Sequence, residues 1–175
     1  LAIIESAELD IPVSAGADRP ILGEIKSAEA VHGKSGLDGA NFPAPKRTVT
    51  SETAIETILR LSHEQEDLHI IATAPLTNIA AALAADRNLV KRISGISIMG
   101  GSTTGGNATP AAEFNFLADP EAAHLVFNAG APITMVGLNV TAAFGIDDRG
   151  VSQLRSGESQ TAAEIGGALG FYLDR

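Results

Sequence analysis

The sequence of 175 residues contains no cysteine and no tryptophan, and only 4% of its residues are aromatic. Without cysteine there is no disulfide framework, no thiolate metal site and no cysteine nucleophile, so oxygen and imidazole are the remaining metal ligands. No apolar run approaches the roughly eighteen residues that span a bilayer. The best candidates, such as LHIIATA at 68–74, end at polar residues or proline. These absences argue against a membrane role, and the lack of cysteine fits a cytoplasmic protein.

Basic residues are also few. The chain has 12 Lys and Arg against 21 Asp and Glu, which gives a formal net charge of -9 and a pI near 4.8. General nucleic-acid binding needs clustered Lys and Arg to neutralise phosphate, so this balance argues against it. Apolar residues make up 45% of the chain, and a chain of this length normally buries a sizeable core. We therefore expect one soluble domain over residues 1–175.

Apolar runs alternate with amphipathic stretches along the chain, which is typical of βα units around a mainly parallel sheet. Gly and Pro are frequent over 17–50, which predicts a long loop. Both ends are interpreted as cut, because the first residues look like the tail of a helix and the last lie within one. The fold class is therefore α/β, an open, mainly parallel sheet flanked by helices and incomplete at both ends. The predicted strands are 11–16, 68–74, 95–101 and a run within 131–140, and the predicted helices are one from Ser51 capped by Thr50 or Ser51, 76–86, one from Asp119 to about Asn128, 147–155 and 160–174.

Asp119 starts the helix signal that is clearest in this sequence. It is followed by Pro120 and Glu121. A capping acid, a proline in the first turn and a further acid near the positive end of the helix dipole together mark an N-terminus. We expect Asp119 to cap this helix and to have a structural role.

Stretches rich in polar residues or glycine follow three of the predicted strands, at ATAPLTN, MGGSTTGGN and GLNVT. Ligands of open parallel sheets bind beyond the carboxyl ends of the strands. Each stretch also has a plainer interpretation. The glycine-rich run can be a flexible loop, and it matches neither GxGxxG nor the P-loop. Asn78 can cap its helix, and Glu113 and Asn115 can satisfy each other or a loop backbone.

The four histidines show no metal-ligand spacing. His63, His69 and His124 are most simply surface or helix residues. His32 differs because glycines flank it within the long loop, in VHGKSGLDGA.

Taken together, six segments carry more information than each does alone. Their order and spacing resemble the inosine-uridine preferring nucleoside hydrolase family over nearly the whole chain, from about Ala15 to Thr141. The AEFN and DPEAA elements are the most specific part of the resemblance. The segments are GADRPI, HGKSGLDGA, ATAPLTNIA, IMGG, GNATPAAEFNFLADPEAAHLVF and MVGLNVT.

The resemblance implies a nucleoside hydrolase-like fold with a Rossmann-like core and a ribose pocket. It implies that neutral amides and one carboxylate grip sugar hydroxyls, and that Ca²⁺ holds the sugar diol and activates water. The His32 loop reaches the pocket mouth in some members. The implied sugar contacts are Asn107, Glu113 and Asn115, the implied apolar walls are Met99 and Phe114, and the implied calcium ligand is the backbone carbonyl of Thr73.

The chain also departs from the family pattern. The DxDxxxDD cluster, which supplies most calcium ligands and the catalytic base, is absent, and the later His-Asp pair would lie beyond Arg175. Asn139 stands in GLNVT where an aspartate is usual. We therefore identify no catalytic residue here, and we expect residues 1–175 alone to be inactive and to lack bound calcium.

The interpretation that we adopt is hydrolysis of purine or pyrimidine ribonucleosides to base and ribose by the complete protein. An alternative is a ribose- or nucleoside-binding remnant without turnover. A third, an unrelated Rossmann-like cofactor binder, would need a phosphate loop on the first strand, which this sequence does not show. The resemblance suggests dimers or tetramers and leaves the base preference open.

Overall fold

In the computed structural model, which describes residues 1–174, the chain divides into two compact units. The sheet unit consists of Ser14–Ile25 and Ser51–Phe144. The helical unit consists of Leu1–Val13, Lys26–Thr50 and the described residues from Gly145 onward. The expectation of a single domain remains a prediction.

The sheet unit contains three parallel strands in the order β1-β2-β3. These are β1 (Leu68–Ala72), β2 (Ile93–Met99) and β3 (Ile133–Val136). Register pairs join Ala72 to Ile98 and Met99 to Val136. The parallel sheet flanked by helices confirms the predicted α/β fold class.

Helices follow the strands of the sheet unit as a βα pattern requires. The helices of this unit are α3 (Ala54–Glu64), α4 (Thr77–Ala85), a 3-10 helix (Arg87–Lys91), α5 (Phe114–Ala118), α6 (Pro120–Phe127) and α7 (Leu138–Thr141). The core lies between one face of the sheet and helices α3, α4 and α6, where Leu76, Ile96 and Val126 are almost fully buried.

Helix α3 begins later than the sequence analysis predicts. Its cap is Thr53, whose hydroxyl accepts a hydrogen bond from the backbone N–H of Glu56. The Glu56 side chain in turn accepts from the backbone N–H of Thr53 at 2.8 Å, completing a capping box. The predicted caps, Thr50 and Ser51, were therefore wrong. The Thr53–Glu56 pair satisfies two backbone N–H groups, whereas a single capping hydroxyl satisfies only one.

The predicted strand at 11–16 does not form in the structure. Ala15 makes only an isolated parallel bridge with Thr53. Helix α5 was not predicted, since its five residues are too few to establish a helical period. In contrast, Asp119 caps α6 as expected, because its carboxylate accepts from the N–H of Ala122 at 3.0 Å.

The helical unit contains no strand among its described residues. Helices α8 (Asp148–Arg155) and α9 (Gln160–Leu173) lie where the sequence predicts them, and Asp147 and Ser159 cap them. Glu5 accepts hydrogen bonds from the backbone N–H groups of Lys46 and Arg47, which lower the pKa of that carboxyl. The predicted loop at 17–50 is largely irregular in the structure and contains one short helix. The helices are α1 (Ala2–Ser6), α2 (Glu29–His32), α8 (Asp148–Arg155) and α9 (Gln160–Leu173).

Over residues 1–174, no helix has both the length and the apolar character needed to cross a membrane.

Candidate functional site

The candidate site lies where the parallel strands of the sheet unit end. Because Ala72 pairs with Ile98, the residues that follow, Thr73 and Met99, reach the carboxyl edge of the sheet at the same level. The backbone N–H of Leu138, just after β3, donates to the carbonyl of Gly101 at 3.0 Å. The topology therefore brings the three predicted stretches to one edge.

Glu113 caps helix α5 and is buried, with 3% of its surface exposed. Its Oε1 accepts from the N–H of Asn115 at 2.9 Å. Its Oε2 accepts from Gly101 at 2.9 Å and from Phe116 at 3.1 Å. A carboxylate offers about four acceptor positions, so three backbone donors leave roughly one for a ligand.

Asn115 is oriented by the end of strand β2. Its Nδ2 donates to the carbonyl oxygen of Met99 at 3.0 Å and lies 3.4 Å from the Met99 sulfur. Within residues 1–174, its Oδ1 accepts no hydrogen bond. The side chain is therefore held at one end and can accept a hydrogen bond at the other.

Asn107 connects the glycine-rich loop to the start of helix α5. Its Oδ1 accepts from the backbone N–H of Phe114 at 2.9 Å. The same loop is held at Asn139, whose Oδ1 accepts from the N–H of Thr103 at 3.4 Å. The glycine-rich run, for which a flexible loop is the plainer interpretation, is therefore held by side-chain hydrogen bonds at Thr103 and at Asn107.

Two glycines at the start of this loop allow the Phe116 ring to approach the backbone. A Cβ on Gly100 would lie 2.5 Å from the ring, and one on Gly101 would lie 2.7 Å from it. Gly101 also has a φ of 66°, which favours glycine. The Gly-Gly pair therefore allows α5 to pack closely against the end of β2. This packing explains the two glycines without a phosphate ligand.

Thr73 follows β1 directly and is exposed. Calcium takes six to eight oxygen ligands. The part of the chain that the structure describes contains no group of three or more His, Asp and Glu side chains able to hold a metal. The Thr73 carbonyl with its described surroundings does not by itself fit a calcium site.

His32 belongs to the helical unit and ends helix α2. Its ring stacks on Tyr172, with ring centroids 5.8 Å apart and an interplanar angle of 14°. The two rings line a largely apolar cavity of about 420 Å³ that also involves Leu37 and Phe42. His32 therefore belongs to a different unit from the other five predicted sugar-contacting residues, which all belong to the sheet unit.

Two further polar side chains near the strand ends were not assigned to the site from sequence. Asn78 does not cap α4, as one interpretation suggested, and its Oδ1 instead accepts from the N–H of Ala17 at 2.8 Å. Thr77 donates its hydroxyl to Asp119 at 2.6 Å. The Asp-Pro-Glu signal identified Asp119 as a cap but gave no indication of this long-range partner.

Comparison with known proteins gives a consistent picture. The family model described as inosine-uridine preferring nucleoside hydrolase matches residues 1–175. Proteins named pyrimidine-specific ribonucleoside hydrolase RihA from Shewanella woodyi and Photobacterium profundum are each 42% identical over 165 residues, or 94% of this chain. The chain spans about half, 53%, of the length of each of these curated relatives.

Solved structures agree in fold. A plant nucleoside hydrolase is 34% identical with a TM-score of 0.88, and the match covers 97% of this chain and 55% of that one. A purine-preferring ribonucleoside hydrolase from Gardnerella vaginalis is 29% identical with a TM-score of 0.94, covering 99% of this chain and 57% of that one.

Proposed function

The chain belongs to the inosine-uridine preferring nucleoside hydrolase family, and from that premise we propose that the full-length protein hydrolyses ribonucleosides to free base and ribose. The observation that carries the proposal is the family match over the whole chain, together with the amide and carboxylate cluster at the strand ends. The relatives' names favour this function over a binding remnant.

We propose pyrimidine ribonucleosides as the first substrates to test. The two curated relatives described above are named as pyrimidine-specific. The structural neighbour from Gardnerella vaginalis is named as purine-preferring, so a purine ribonucleoside is the necessary comparison.

The proposed role of the cluster is to hold the sugar. Asn115 Oδ1 accepts a hydrogen bond from one ribose hydroxyl, and the remaining acceptor position of Glu113 takes another. Asn107 contributes its side-chain N–H groups, because its Oδ1 is occupied by Phe114. Met99 and Phe114 form the apolar walls beside the sugar. Directed hydrogen bonds of this kind fix the ring for attack.

The charge of Glu113 suits the reaction as well as the sugar. Cleavage of a glycosidic bond builds positive charge on the sugar ring in an oxocarbenium-like transition state. A buried carboxylate held by three backbone donors is a fixed negative charge near that ring. Fixed charge that faces developing opposite charge lowers the barrier more than a mobile group does.

Calcium is the proposed cofactor on the basis of family resemblance. The Thr73 carbonyl would be one ligand, and the remaining oxygens would have to come from outside residues 1–175. We assign no step to the ion, since the described residues do not form its site. The His32 loop at the pocket mouth, assembly as dimers or tetramers, and a cytoplasmic location are likewise proposals from resemblance.

An assay for free ribose tests the proposed function. Full-length protein is incubated with uridine and, separately, with inosine, and reducing sugar is measured over time. Ribose release at rates in the usual enzymatic range of about 1 to 10³ s⁻¹ supports hydrolysis. Nucleoside binding by calorimetry without ribose release would instead support the binding remnant.

A further inference from the structure

Asp119 makes more contacts than a helix cap requires. Its side chain is completely buried, with 0% exposed. Oδ1 accepts from the N–H of Ala122, which is the capping bond. Oδ2 accepts from the hydroxyl of Thr77 at 2.6 Å and from the backbone N–H of Ile21 at 3.0 Å. One oxygen therefore caps α6, and the other binds two distant segments.

The Thr77 contact joins the chain that follows β1 to the chain that follows β2. Thr77 begins α4, four residues after Thr73. Asp119 lies four residues after Asn115, at the junction of α5 and α6. The hydrogen bond between Thr77 and Asp119 therefore connects the two chain segments that carry Thr73 and Asn115, the two proposed ligand-binding residues.

The segment Ser14–Ile25 is held at the same place by two bonds. Ile21 donates to Asp119, and Ala17 donates to Asn78 Oδ1, the residue next to Thr77. Gly16 is close enough to Asn78 that a Cβ there would lie 2.5 Å from the amide nitrogen. This close fit makes the anchor a packed contact as well as a polar one.

We propose that Asp119 is a positioning residue for the ribose site and acts through Thr77. The bond ties the start of α4, close to the end of β1, to the α5–α6 junction that carries Asn115, and so fixes where the Asn115 amide lies relative to the strand ends. Hydrogen bonds to a carboxylate are short and strong, and the Asp119 end of this one is fully buried. The inference rests on the proposed function of the same site.

Thr77→Val separates positioning from capping. Valine has nearly the shape of threonine and removes only the hydroxyl, so the bond from Ala122 to Oδ1 is retained. Thr77→Ser restores the donor and serves as the rescue variant. Thr53→Ala is the matched stability control, because Thr53 caps α3 in the same unit and lies outside the proposed site.

The experiment measures kcat, KM and thermal melting for the three variants of the full-length protein with its best nucleoside. A misplacement of about 1 Å can cost roughly 100-fold in rate, so we expect Thr77→Val to lower kcat/KM at least about tenfold. The loss should fall mainly on kcat at saturating nucleoside. Thr77→Ser should stay near the wild type, and Thr53→Ala should lower the melting temperature without changing kcat/KM.

Two results would overturn the inference: unchanged kcat/KM in Thr77→Val, or an equal loss in Thr53→Ala when both are fully folded. If the wild type releases no ribose, the proposed function fails, and the calorimetric affinity for uridine then decides the positioning role. Weaker uridine binding by Thr77→Val with rescue by Thr77→Ser supports positioning even so. Equal affinity in all variants, or no binding by the wild type, removes it.

Discussion

Asn115 is the residue whose side chain most directly offers an acceptor to the proposed sugar ligand. The Met99 carbonyl holds its amide nitrogen, which leaves the oxygen for a ligand. Asn115→Ala removes both contacts, and a lost hydrogen bond of this kind costs about 0.5–1.5 kcal/mol, more if its partner stays buried. We therefore expect kcat/KM for ribose release by the full-length protein to fall at least about tenfold.

The matched control for this substitution is Asn88→Ala. Asn88 is exposed on the 3-10 helix, in the same unit. Its variant should keep wild-type kinetics. Wild-type kcat/KM in Asn115→Ala would remove Asn115 from the site.

Glu113 carries the second residue-scale prediction. Glu113→Gln replaces one carboxylate oxygen with an N–H₂ group, which faces backbone donors and cannot accept from them. A buried donor left unpaired costs about 1–3 kcal/mol, so the free energy of unfolding should fall by about that amount. Urea unfolding measures it, with the exposed Glu66→Gln as control. Unchanged stability with lost activity would mean that Glu113 acts on the substrate alone.

The sequence predicted candidate site residues, but it did not predict all of their hydrogen-bond partners. Asn107, Glu113 and Asn115 lie within one short motif, and the structure brings them together around the end of β2. The partners of Asp119 are 42 and 98 residues away in the chain. A local pattern shows that an acid starts a helix, but it cannot show what its second oxygen contacts.

At the scale of elements, the long periodic stretches were predictable and the short ones were not. Helices α4 and α6 and strands β1 and β2 lie close to their predicted positions. Helix α5 was missed because its five residues are too few to establish a period and because Glu113, an uncommon N-cap type, starts it. The predicted strand at 11–16 has the composition of a strand, but only Ala15 finds a bridge partner.

The connection between α4 and β2 gives a prediction about acid sensitivity. Asp86 accepts from Arg92 Nη2 at 2.6 Å and from the backbone N–H of Asn88 at 2.8 Å. The Arg92 guanidinium, more than the Asn88 bond, lowers the pKa of Asp86 below its ordinary value. Arg92 also donates to the buried hydroxyl of Ser62 at 3.0 Å, which fixes its position.

A carboxyl whose pKa is lower in the folded state stabilises the protein above its unfolded pKa, near 4. That contribution is lost as the pH falls through the folded pKa. Asp86→Asn should therefore be less stable than the wild type at pH 7 and should lose less stability between about pH 5 and pH 2. Urea midpoints across this range measure it, with the exposed Asp148→Asn as control. Parallel curves for Asp86→Asn and the wild type would contradict the prediction.

At the scale of the whole molecule, the sequence predicted the α/β class and the family, but not the division into units. The family match depends on local motifs that can be read in order. The helical unit gathers its residues from three separate ranges, and nothing in a local pattern shows that such ranges pack together. Ile71 on β1 is 74% exposed, although the sequence predicts a buried strand there. The burial of a strand residue depends on which elements cover the sheet, and a local pattern does not show this.

The last prediction is that a polypeptide of residues 1–175 alone releases no ribose at an enzymatic rate and binds calcium more weakly than about micromolar. Calcium takes six to eight oxygens, whereas the described residues hold no group of three or more acidic or His side chains. One neutral carbonyl at Thr73 cannot compete with water for the ion. Calorimetry with Ca²⁺ and the ribose assay are run beside the full-length protein, after circular dichroism shows that the shorter polypeptide melts cooperatively. Micromolar calcium binding by this polypeptide would mean that carboxylates such as Asp18, Asp38, Asp147 and Asp148 rearrange into a site.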